Sequence, residues 1–298
     1  MRIGLLLSEP KGPGELGELR ERIVRAAEEG FSSAWMSNIF GLDALTALAV
    51  AGGGVPGIEL GTAVVPTYPR HPAALAQQAL TVNAALDGRL ALGIGLSHQV
   101  VIEGVYGYSF DKPARHMREY LSVLVPLVRG EQADFEGETL KAHIGLTTPG
   151  AGDMPVLIAA LAPRMLKLAG ELADGTVLWM TGPRTVAEHV TPAVTEAARA
   201  AGRPAPRIVC TLPVCVTDDV EAARALAAEV FAIYGELPSY RAMLDREGAA
   251  GPADVAIVGD EETVSAQIES LALAGVTDFV AAGFGGSGRT REFLRTLL

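Results

Sequence analysis

Residues 60–98, LGTAVVPTYPRHPAALAQQALTVNAALDGRLALGIGLSH, place an amphipathic segment between two apolar ones. The first apolar segment runs from Ile58 to Val65, and His71–Pro72 then offers a helix start because the proline ring pre-sets the first turn. Apolar residues follow at helical spacing at Leu75, Ala79, Val82 and Leu86. Asp87–Gly88 supplies a turn before a second apolar segment, Leu90 to Ile94. The stretch therefore predicts a β-α-β unit.

The same alternation extends over the rest of the chain. Eight apolar segments are strand candidates: Ile3–Leu7, Ser33–Met36, Ile58–Val65, Leu90–Ile94, Pro155–Ala159, Thr176–Trp179, Ile208–Val216 and Asp278–Ala281. The segments between them carry apolar residues at the spacing of amphipathic helices. Strands that alternate with helices in this way predict an α/β fold, a closed (β/α)8 TIM barrel, and 298 residues is an ordinary length for one such domain. We therefore expect a single domain over residues 1–298.

Two stretches are longer than the usual connections of such a barrel. Residues 134–154 begin with a hairpin-like Phe135–Glu136–Gly137, and residues 234–255 contain a short predicted helix around Tyr240 to Arg246 that ends at Gly248. Long insertions that follow strand ends rim the active face as lids or binding loops. Otherwise they form an oligomer contact or surface decoration, and the sequence leaves both alternatives open.

Composition excludes several classes of function. The net charge is −11 and no run of Lys or Arg occurs, which argues against a nucleic-acid partner. The apolar run in the N-terminal MRIGLLLSEP is too short for a signal peptide or a membrane span, so we expect no membrane association. Cys210 and Cys215 lack metal-binding spacing, and we interpret them as inert core residues of a reduced, cytoplasmic protein. The histidines also lack such spacing, so no metal site is predicted.

Several motifs together resemble a known family. GTAVVPTYPRHPAALAQQALT followed by GRLALGIGLSH is similar to the luciferase-like flavin and deazaflavin oxidoreductases, which have the bacterial luciferase fold. EEGFSSAWMSN, LTALAVAGG, PVLIAALAPRMLKLAGELADGTVLWM and LPSYRAML extend the resemblance over nearly the whole chain. The most similar branch uses coenzyme F420. The resemblance implies an oxidoreductase whose cofactor binds where the barrel strands end.

Asn38 follows the second predicted strand, and its position matches an acidic residue that lies against the deazaflavin in a related sugar-phosphate dehydrogenase branch. That branch has a histidine at the next position, whereas this chain has Ile39, which cannot take a proton. The substrate and the proton acceptor of that branch are therefore not carried over. Asn38 is interpreted as a cofactor contact. The alternative is that Asn38 is a loop residue whose side chain hydrogen-bonds to the nearby backbone.

Ala63 and Val64 match the place where deazaflavin-dependent relatives have a non-proline cis peptide behind the ring. The alternative is an ordinary strand that ends at Pro66. The small side chain of Ala63 is compatible with a ring that lies close to the backbone. The resemblance therefore implies that Ala63 and Val64 contact the cofactor.

His98 is the first candidate for acid–base catalysis. It follows Gly93–Ile94–Gly95–Leu96–Ser97 at a strand end, where small residues let a ligand approach the backbone. The dehydrogenase branch has a glutamate near the ring at the matching position, so the resemblance implies proton transfer by His98 and a cofactor contact by Ser97. Glu9 matches another active-site carboxylate of that branch. The alternative is that Glu9 is a solvent-exposed charged residue in a loop.

The small residues Ala160, Leu161 and Ala162 lead into a predicted helix, whose N-terminus can bind an anion through free N–H groups. The resemblance places contacts to the cofactor tail here. Gly283 to Arg289 can also cradle a phosphate, with Arg289 as its partner, or form a mobile loop. Three large aromatic residues are candidates to line the pocket: Trp35, Trp179 and Tyr106. For the two tryptophans, the alternative is that they belong to the buried core.

The resemblance implies an F420-dependent oxidoreductase that transfers a hydride between deazaflavin C5 and a small-molecule substrate. One alternative is an FMN-dependent monooxygenase of the same fold, and another is a flavin- or deazaflavin-binding protein without turnover. The cofactor carries the hydride chemistry in the first interpretation, and His98 handles the paired proton. Because relatives are often dimers, we also expect a homodimer.

Overall fold

The residues described by a computed structural model, 1–7, 15–150 and 152–298, contain twelve strands. They are β1 (Arg2–Leu7), β2 (Ser33–Met36), β3 (Glu59–Thr62), β4 (Val65–Pro66), β5 (Leu90–Gly95), β6 (Ala133–Glu136), β7 (Lys141–Ile144), β8 (Val156–Ala159), β9 (Gly175–Trp179), β10 (Arg207–Val216), β11 (Ile257–Gly259) and β12 (Asp278–Gly283). Eight of them pair in parallel in the closed order β1-β2-β3-β5-β8-β9-β10-β12, with β12 next to β1. The predicted (β/α)8 TIM barrel is confirmed.

Helices cover the outside of the barrel. They are α1 (Glu15–Glu28), α2 (Ala44–Gly52), α3 (Pro72–Ala85), α4 (Gln99–Gly104), α5 (Pro113–Val128), α6 (Pro163–Glu171), α7 (Pro183–Thr185), α8 (Thr191–Ala200), α9 (Val220–Val230), α10 (Ala232–Glu236), α11 (Pro238–Glu247), α12 (Pro252–Val255), α13 (Glu261–Leu273) and α14 (Ser287–Arg295). A π-helical turn, Val186–Val190, joins α7 to α8. Within the described part of the chain, every helix is too short or too polar to cross a bilayer.

The β-α-β unit forms as its sequence predicts, with one correction. His71 caps α3 by accepting a hydrogen bond from Ala73 N, and Asp87 and Gly88 both have positive φ in the turn before β5. The predicted continuous strand from Ile58 to Val65 is wrong, because β3 ends at Thr62 and the chain resumes pairing only as β4.

The interruption is a bulge of one residue. Leu60 pairs with Leu90, but Val65 pairs with Ile94, so the register between the two segments shifts by one position. The Thr62 hydroxyl bridges the gap by bonding both the carbonyl and the N–H of Gly93. The peptide bond between Ala63 and Val64 is cis, the geometry that the resemblance implies for this position.

The barrel interior is a packed core at mid-height. Inward-facing residues form one buried cluster, whose members are Trp35, Ala91, Leu157, Val177, Val209 and Val280. Gly61 makes room for the largest of them, since a Cβ at this position would lie 2.2 Å from the Trp35 ring. The interior is therefore filled by side chains, as is usual for this fold.

An ion network closes the N-terminal end of the barrel. Arg207 Nη2 lies 2.8 Å from a Glu59 oxygen and 2.7 Å from an Asp278 oxygen, and Arg2 pairs with the same two carboxylates. The Asp278 side chain is only 2% exposed. Four residues that begin strands far apart in the sequence thus neutralise one another at this end.

The two long insertions differ in position. In the first, β6 and β7 form an antiparallel hairpin on α5, where Glu119 accepts hydrogen bonds from the backbone N–H groups of Glu138, Thr139 and Leu140. The first insertion is therefore an outer decoration. In the second, the predicted helix is α11, and it ends at Gly248 in the left-handed conformation with φ 81°.

Candidate active site

The C-terminal end of the barrel is an open depression, called the mouth below. Side chains alternate along a strand, so the residues two positions beyond the interior cluster also face inward. Five inward-facing residues at this level of the barrel are partly exposed, namely Leu6, Ala63, Ala159, Trp179 and Ala282, whereas Thr211 is buried. Their outward-facing neighbours Ile158, Leu178 and Ala281 are buried under the helices. The exposure therefore comes from an opening at the top of the barrel interior.

One side of the mouth is flat and apolar. Ala63, Val64, Gly95 and Ala159 form this side, which we call the small-residue floor. A Cβ at Gly95 would lie 2.5 Å from Val64 Cγ2 and 3.2 Å from Ala159 Cβ, so the glycine is needed for these residues to meet. A planar ring system fits such a surface, whereas a longer side chain at any of these positions would occupy the space.

His98 follows Gly95 of the small-residue floor by three residues, just beyond the end of β5. The preceding residue, Ser97, has a left-handed backbone with φ 61°, which is uncommon for a residue other than glycine. His98 is half-buried, and its side chain has no hydrogen-bond partner among the described residues. Burial lowers the pKa of His98, so the imidazole is mainly neutral at pH 7. An unpaired, titratable group at a strand end is available to a ligand.

A series of aromatic rings forms a second side of the mouth, which begins at Trp179 on β9, the strand next to β8. The rings of Tyr240 and Tyr234 lie 5.2 Å apart, Tyr234 and Trp179 lie 5.5 Å apart, and Trp179 and Phe231 lie 5.9 Å apart. Phe284 continues the series at 5.7 Å from Phe231. These five residues are called the aromatic wall, and their edge-to-face contacts fix the rings relative to one another.

The aromatic wall and His98 meet at Tyr240, whose ring centroid is 5.6 Å from that of the histidine. Tyr234 precedes α11 and Tyr240 belongs to it, so the second insertion lines the mouth. Of the two alternatives that the sequence left open for residues 234–255, the structure favours the binding loop. Trp179 also lines the mouth, whereas Trp35 belongs to the core.

The predicted tail contacts lie next to the small-residue floor. Ala160 is buried, the Leu161 carbonyl accepts a hydrogen bond from His189 Nε2 at 2.8 Å, and Ala162 caps α6 without a side-chain hydrogen bond. Arg164 in the first turn of α6 is exposed and has no ion pair within the described chain. This helix start therefore combines an uncapped N-terminus with one free cation.

The side-chain oxygen of Asn38 has a hydrogen-bond partner, whereas its amide nitrogen has none among the described residues. Its Oδ1 accepts a hydrogen bond from Ala44 N at 3.0 Å, which is the local role that the sequence left as the alternative. The amide nitrogen has no partner among the described residues and remains able to donate. Glu9, the second predicted catalytic residue, lies outside the described residues.

Arg289 does not fit the role of a phosphate partner. Its guanidinium bonds Glu261 at 2.7 Å and Asp218 at 3.0 Å. The hydrogen bond from Arg289 lowers the pKa of Glu261 to about 2, so the pair is ionised at neutral pH. The expectation of a phosphate cradle at Gly283 to Arg289 is not supported, because internal carboxylates already satisfy the arginine.

Sequence reasoning missed a second histidine near the mouth. His116 Nε2 lies 3.0 Å from Thr67 Oγ1, and the His116 ring stacks on Tyr68 at 4.0 Å. Thr67 N in turn bonds the Gly95 carbonyl, so His116 supports the segment after the bulge. Burial lowers the pKa of His116 to about 4, which keeps it neutral. Its helical position in α5 gave no signal of this contact.

Two buried polar atoms in the mouth lack a hydrogen-bond partner in the described residues: Trp179 Nε1 and Thr211 Oγ1. Thr211 was also missed. The signal available for it was a single hydroxyl in the apolar strand IVCTLPVCV. Unpartnered buried polar atoms are uncommon in proteins, and in a depression they are positions where a ligand can bind.

Comparison with known proteins shows which family has this sequence pattern and this barrel fold. The model of the luciferase-like monooxygenase family matches residues 1–278. The chain belongs to this family. A putative coenzyme F420-dependent oxidoreductase of Mycobacterium tuberculosis is 31% identical over 235 residues, which cover 72% of this chain and 67% of that relative. As a member of the luciferase-like family, the chain is an enzyme of the oxidoreductase class.

Two solved structures show the same fold as this luciferase-like chain. One is the coenzyme F420-dependent tetrahydromethanopterin reductase from Methanopyrus kandleri, with a TM-score of 0.81, 23% identity, and coverage of 99% of this chain and 96% of that one. The other is the oxygenating constituent of 3,6-diketocamphane monooxygenase from Pseudomonas putida in complex with FMN, with a TM-score of 0.73, 18% identity, and coverage of 95% and 92%. At these identities the likeness concerns the fold alone.

Proposed function

We propose that this protein is a coenzyme F420-dependent oxidoreductase that transfers a hydride between deazaflavin C5 and a small organic substrate. The observation that carries the proposal is the position of His98. It is half-buried, without a hydrogen-bond partner among the described residues, and it follows Gly95 of the small-residue floor by three residues at the C-terminal end of β5. A named F420-dependent relative at 31% identity supports the choice of cofactor.

The residues of the mouth fit a deazaflavin. The small-residue floor would support one face of the ring, and the free amide nitrogen of Asn38 would donate to its edge. The backbone at Ser97 would lie beside the ring. The segment Ala160, Leu161 and Ala162, with the N-terminus of α6 and Arg164, would hold the anionic tail. When bound, the deazaflavin would supply a hydride donor or acceptor at C5.

His98 would handle the proton that accompanies the hydride. Its lowered pKa makes the neutral imidazole the main form at pH 7, so it can accept a proton from an alcohol in the oxidative direction. In the reductive direction the imidazolium must form first, and that rate would fall as the pH rises. Glu9 is proposed as a second catalytic group on the resemblance alone.

An FMN-dependent monooxygenase is the second candidate, because a flavin ring also fits the small-residue floor and an FMN-bound structure shares the fold. A flavin- or deazaflavin-binding protein without turnover is the third. The two cofactors lead to different chemistry, since deazaflavin does not form the oxygen adduct that a monooxygenase needs. The identity of the cofactor therefore decides the type of reaction.

Titration of the purified protein with oxidised F420 and, separately, with FMN tests the proposal. We expect tight binding of F420, followed by changes in its absorbance, and much weaker binding of FMN. Ala159→Leu fills the small-residue floor and should abolish F420 binding, whereas Ala85→Leu, at an exposed position of α3, should leave it unchanged. Preference for FMN, or binding of neither cofactor, would overturn the proposal.

We further propose a cytoplasmic homodimer. The two cysteines are buried and unbridged, as expected in a reducing compartment. Ile39, Phe40, Val100 and Val105 are each more than half exposed on the segments that follow β2 and β5, and paired subunits would cover such side chains. Sedimentation equilibrium should give twice the mass of the chain, and Phe40→Asp should shift it to the monomer.

A further inference from the structure

The small-residue floor lies where the pairing of the barrel strands is interrupted. Ala63 and Val64 come between β3 and β4, and neither residue belongs to a strand. The register against β5 shifts by one position across this interruption. A bulge disrupts the ladder of backbone hydrogen bonds locally. The shape of the floor therefore depends on contacts other than regular strand pairing.

A threonine side chain supplies such contacts. The Thr62 hydroxyl donates a hydrogen bond to the Gly93 carbonyl at 2.8 Å and accepts one from the Gly93 N–H at 2.9 Å. One hydroxyl can do both, because it has a donor hydrogen and two acceptor lone pairs. Both residues are buried, and buried backbone groups need partners. Thr62 thus bonds both backbone polar groups of Gly93 beside the bulge.

The two segments approach each other closely at this contact. A Cβ added at Gly93 would lie 2.0 Å from the Thr62 carbonyl oxygen and 3.2 Å from Val64 Cγ1. A Cβ added at Gly95 would lie 2.5 Å from Val64 Cγ2. Two glycines of β5 therefore make room for the same valine, and Thr62 bonds the first of them. The hydrogen bonds of Thr62 thereby hold Val64, a residue of the floor, against β5.

A second contact attaches the chain to β5 beyond the floor. Thr67 N donates a hydrogen bond to the Gly95 carbonyl at 2.9 Å, and His116 bonds the Thr67 hydroxyl. Thr62 comes before Val64 and Thr67 comes after it, so the chain is attached to β5 on both sides of the floor. The earlier attachment is made by a side-chain atom, which a substitution can remove without changing the backbone.

We infer that Thr62 is a positioning residue for the cofactor ring. Its hydroxyl holds Ala63 and Val64 against β5, so the small-residue floor is formed before a ring binds. If only a fraction of the molecules had the floor formed, the affinity for the ring would fall by that fraction. Thr62 is fully buried and acts through the floor rather than by touching the ring. The inference rests on the proposed function only for the identity of the ring.

Paired substitutions separate the hydroxyl from the rest of the side chain. Thr62→Val removes the hydroxyl and keeps the branched shape, whereas Thr62→Ser keeps the hydroxyl and removes the methyl group. Thr290→Val is the matched control, because the Thr290 hydroxyl is also buried and accepts a hydrogen bond from a barrel strand, at Val216 N. That strand, β10, pairs with β9, β11 and β12 and does not border the floor.

Titration with oxidised F420 and, separately, with FMN measures the affinity at a temperature at which every variant is folded. We expect Thr62→Val to bind the preferred cofactor about tenfold more weakly, the effect of a floor formed in about a tenth of the molecules. Thr62→Ser should bind within about threefold of the wild type and Thr290→Val within about twofold, because each keeps the Thr62 hydroxyl or its equivalent. Thermal melts accompany the titrations, since both valine variants lose a buried hydrogen bond and should lose stability.

Hydrogen–deuterium exchange of the ligand-free protein measures the floor directly. Ala63 N donates to the Met36 carbonyl at 2.8 Å and Thr67 N donates to the Gly95 carbonyl, so both amides report on the bulge. Thr62→Val should speed exchange in residues 60–67 by at least about tenfold, because the segment opens locally. Exchange in residues 156–159 of β8 should stay unchanged, and Thr290→Val should change neither segment.

Three results would overturn the inference. Wild-type affinity in Thr62→Val, or equal losses in Thr62→Val and Thr62→Ser, would show that the hydroxyl does not hold the floor. Faster exchange spread over the whole chain in Thr62→Val would show a role in global stability instead.

The wild-type protein tests the proposed function separately. Preference for FMN, or binding of neither cofactor, would refute F420 dependence, and the loss of FMN affinity or the exchange data would then decide the role of Thr62. F420 binding that Thr62→Val does not weaken would refute the role of Thr62 and leave the proposed function intact.

Discussion

The two ends of the barrel satisfy their polar groups in opposite ways. At the N-terminal end, Arg2, Glu59, Arg207 and Asp278 form a closed network of ion pairs. At the C-terminal end, the described residues leave Trp179 Nε1, Thr211 Oγ1 and the His98 side chain without partners. Each unsatisfied buried polar group lowers the free energy of unfolding. The polar groups of the mouth therefore destabilise the folded protein, whereas the ion pairs at the other end stabilise it.

A polar depression at the N-terminal end illustrates the same contrast. It is lined by Arg129, Asp174 and Arg203, among others. Asp174 pairs with Arg129 at 2.7 Å and with Arg203 at 2.9 Å, and it also accepts a hydrogen bond from Val156 N. The depression therefore presents satisfied groups, and we assign it a structural role. Concavity alone does not distinguish a functional site from a structural one.

The largest expected effect is at the mouth. His98→Ala should lower the rate of hydride transfer between F420 and a small organic substrate by about 10²- to 10⁴-fold, the usual contribution of a general acid or base. The dissociation constant of F420 should stay within about twofold, because the floor is intact. His143→Ala, on the exposed hairpin, is the control. Equal losses in turnover and F420 affinity would make His98 a binding residue.

The second effect is on stability at the opposite end. Asp278→Ala leaves Arg207 in a partly buried position with one carboxylate instead of two, and it should lower the free energy of unfolding by about 2–3 kcal/mol. Urea denaturation measures the change. Glu196→Ala removes an exposed ion pair with Arg199 and should cause no measurable loss. Equal effects from the two variants would contradict the structural role of the network.

The third effect is a dependence of stability on pH that originates near the mouth. Burial lowers the pKa of His116 to about 4 from an ordinary value of 6.5, so between these values the unfolded chain binds a proton that the folded chain does not. Stability should therefore fall as the pH decreases from 6.5 towards 4, by about 3 kcal/mol.

His116→Gln should remove most of this slope in urea titrations at several pH values. A smaller slope from His98, whose pKa is also lowered by burial, should remain. The carboxylates with lowered pKa values, such as Glu119, lose their stabilising contribution only below their ordinary pKa of 4.5, so they act in a lower range. An unchanged slope in His116→Gln would show that another group titrates.

The smallest effect concerns backbone strain at the mouth. Ser97 has φ 61°, which costs about 1–2 kcal/mol for a residue with a Cβ. Ser97→Gly removes this cost but adds chain entropy to the unfolded state, so the free energy of unfolding should rise by about 0.5 kcal/mol. Ser97→Ala keeps the Cβ and should show no gain in the same thermal melts. A loss in Ser97→Gly would show that the conformation carries no strain.

Local pattern was sufficient for much of the fold. The apolar period of each segment predicted the barrel strands, and the glycine at 248 predicted the end of α11. Local pattern did not predict the bulge between β3 and β4. There the Thr62 hydroxyl bonds Gly93 of a neighbouring strand, and no residue near Thr62 in the sequence indicates this contact. Local pattern also missed β11, a strand of three residues too short to show a period.

The sequence by itself determined that the chain forms a (β/α)8 barrel, roughly where its strands lie, and which family it resembles, because these properties depend on local periodicity and residue identity. Only the tertiary structure decided which polar groups remain free. Trp179 and Tyr240, 61 positions apart, meet through Tyr234 in one wall, while Arg289 is neutralised by Asp218 and Glu261. Whether a side chain is satisfied depends on partners that folding brings together from distant parts of the chain.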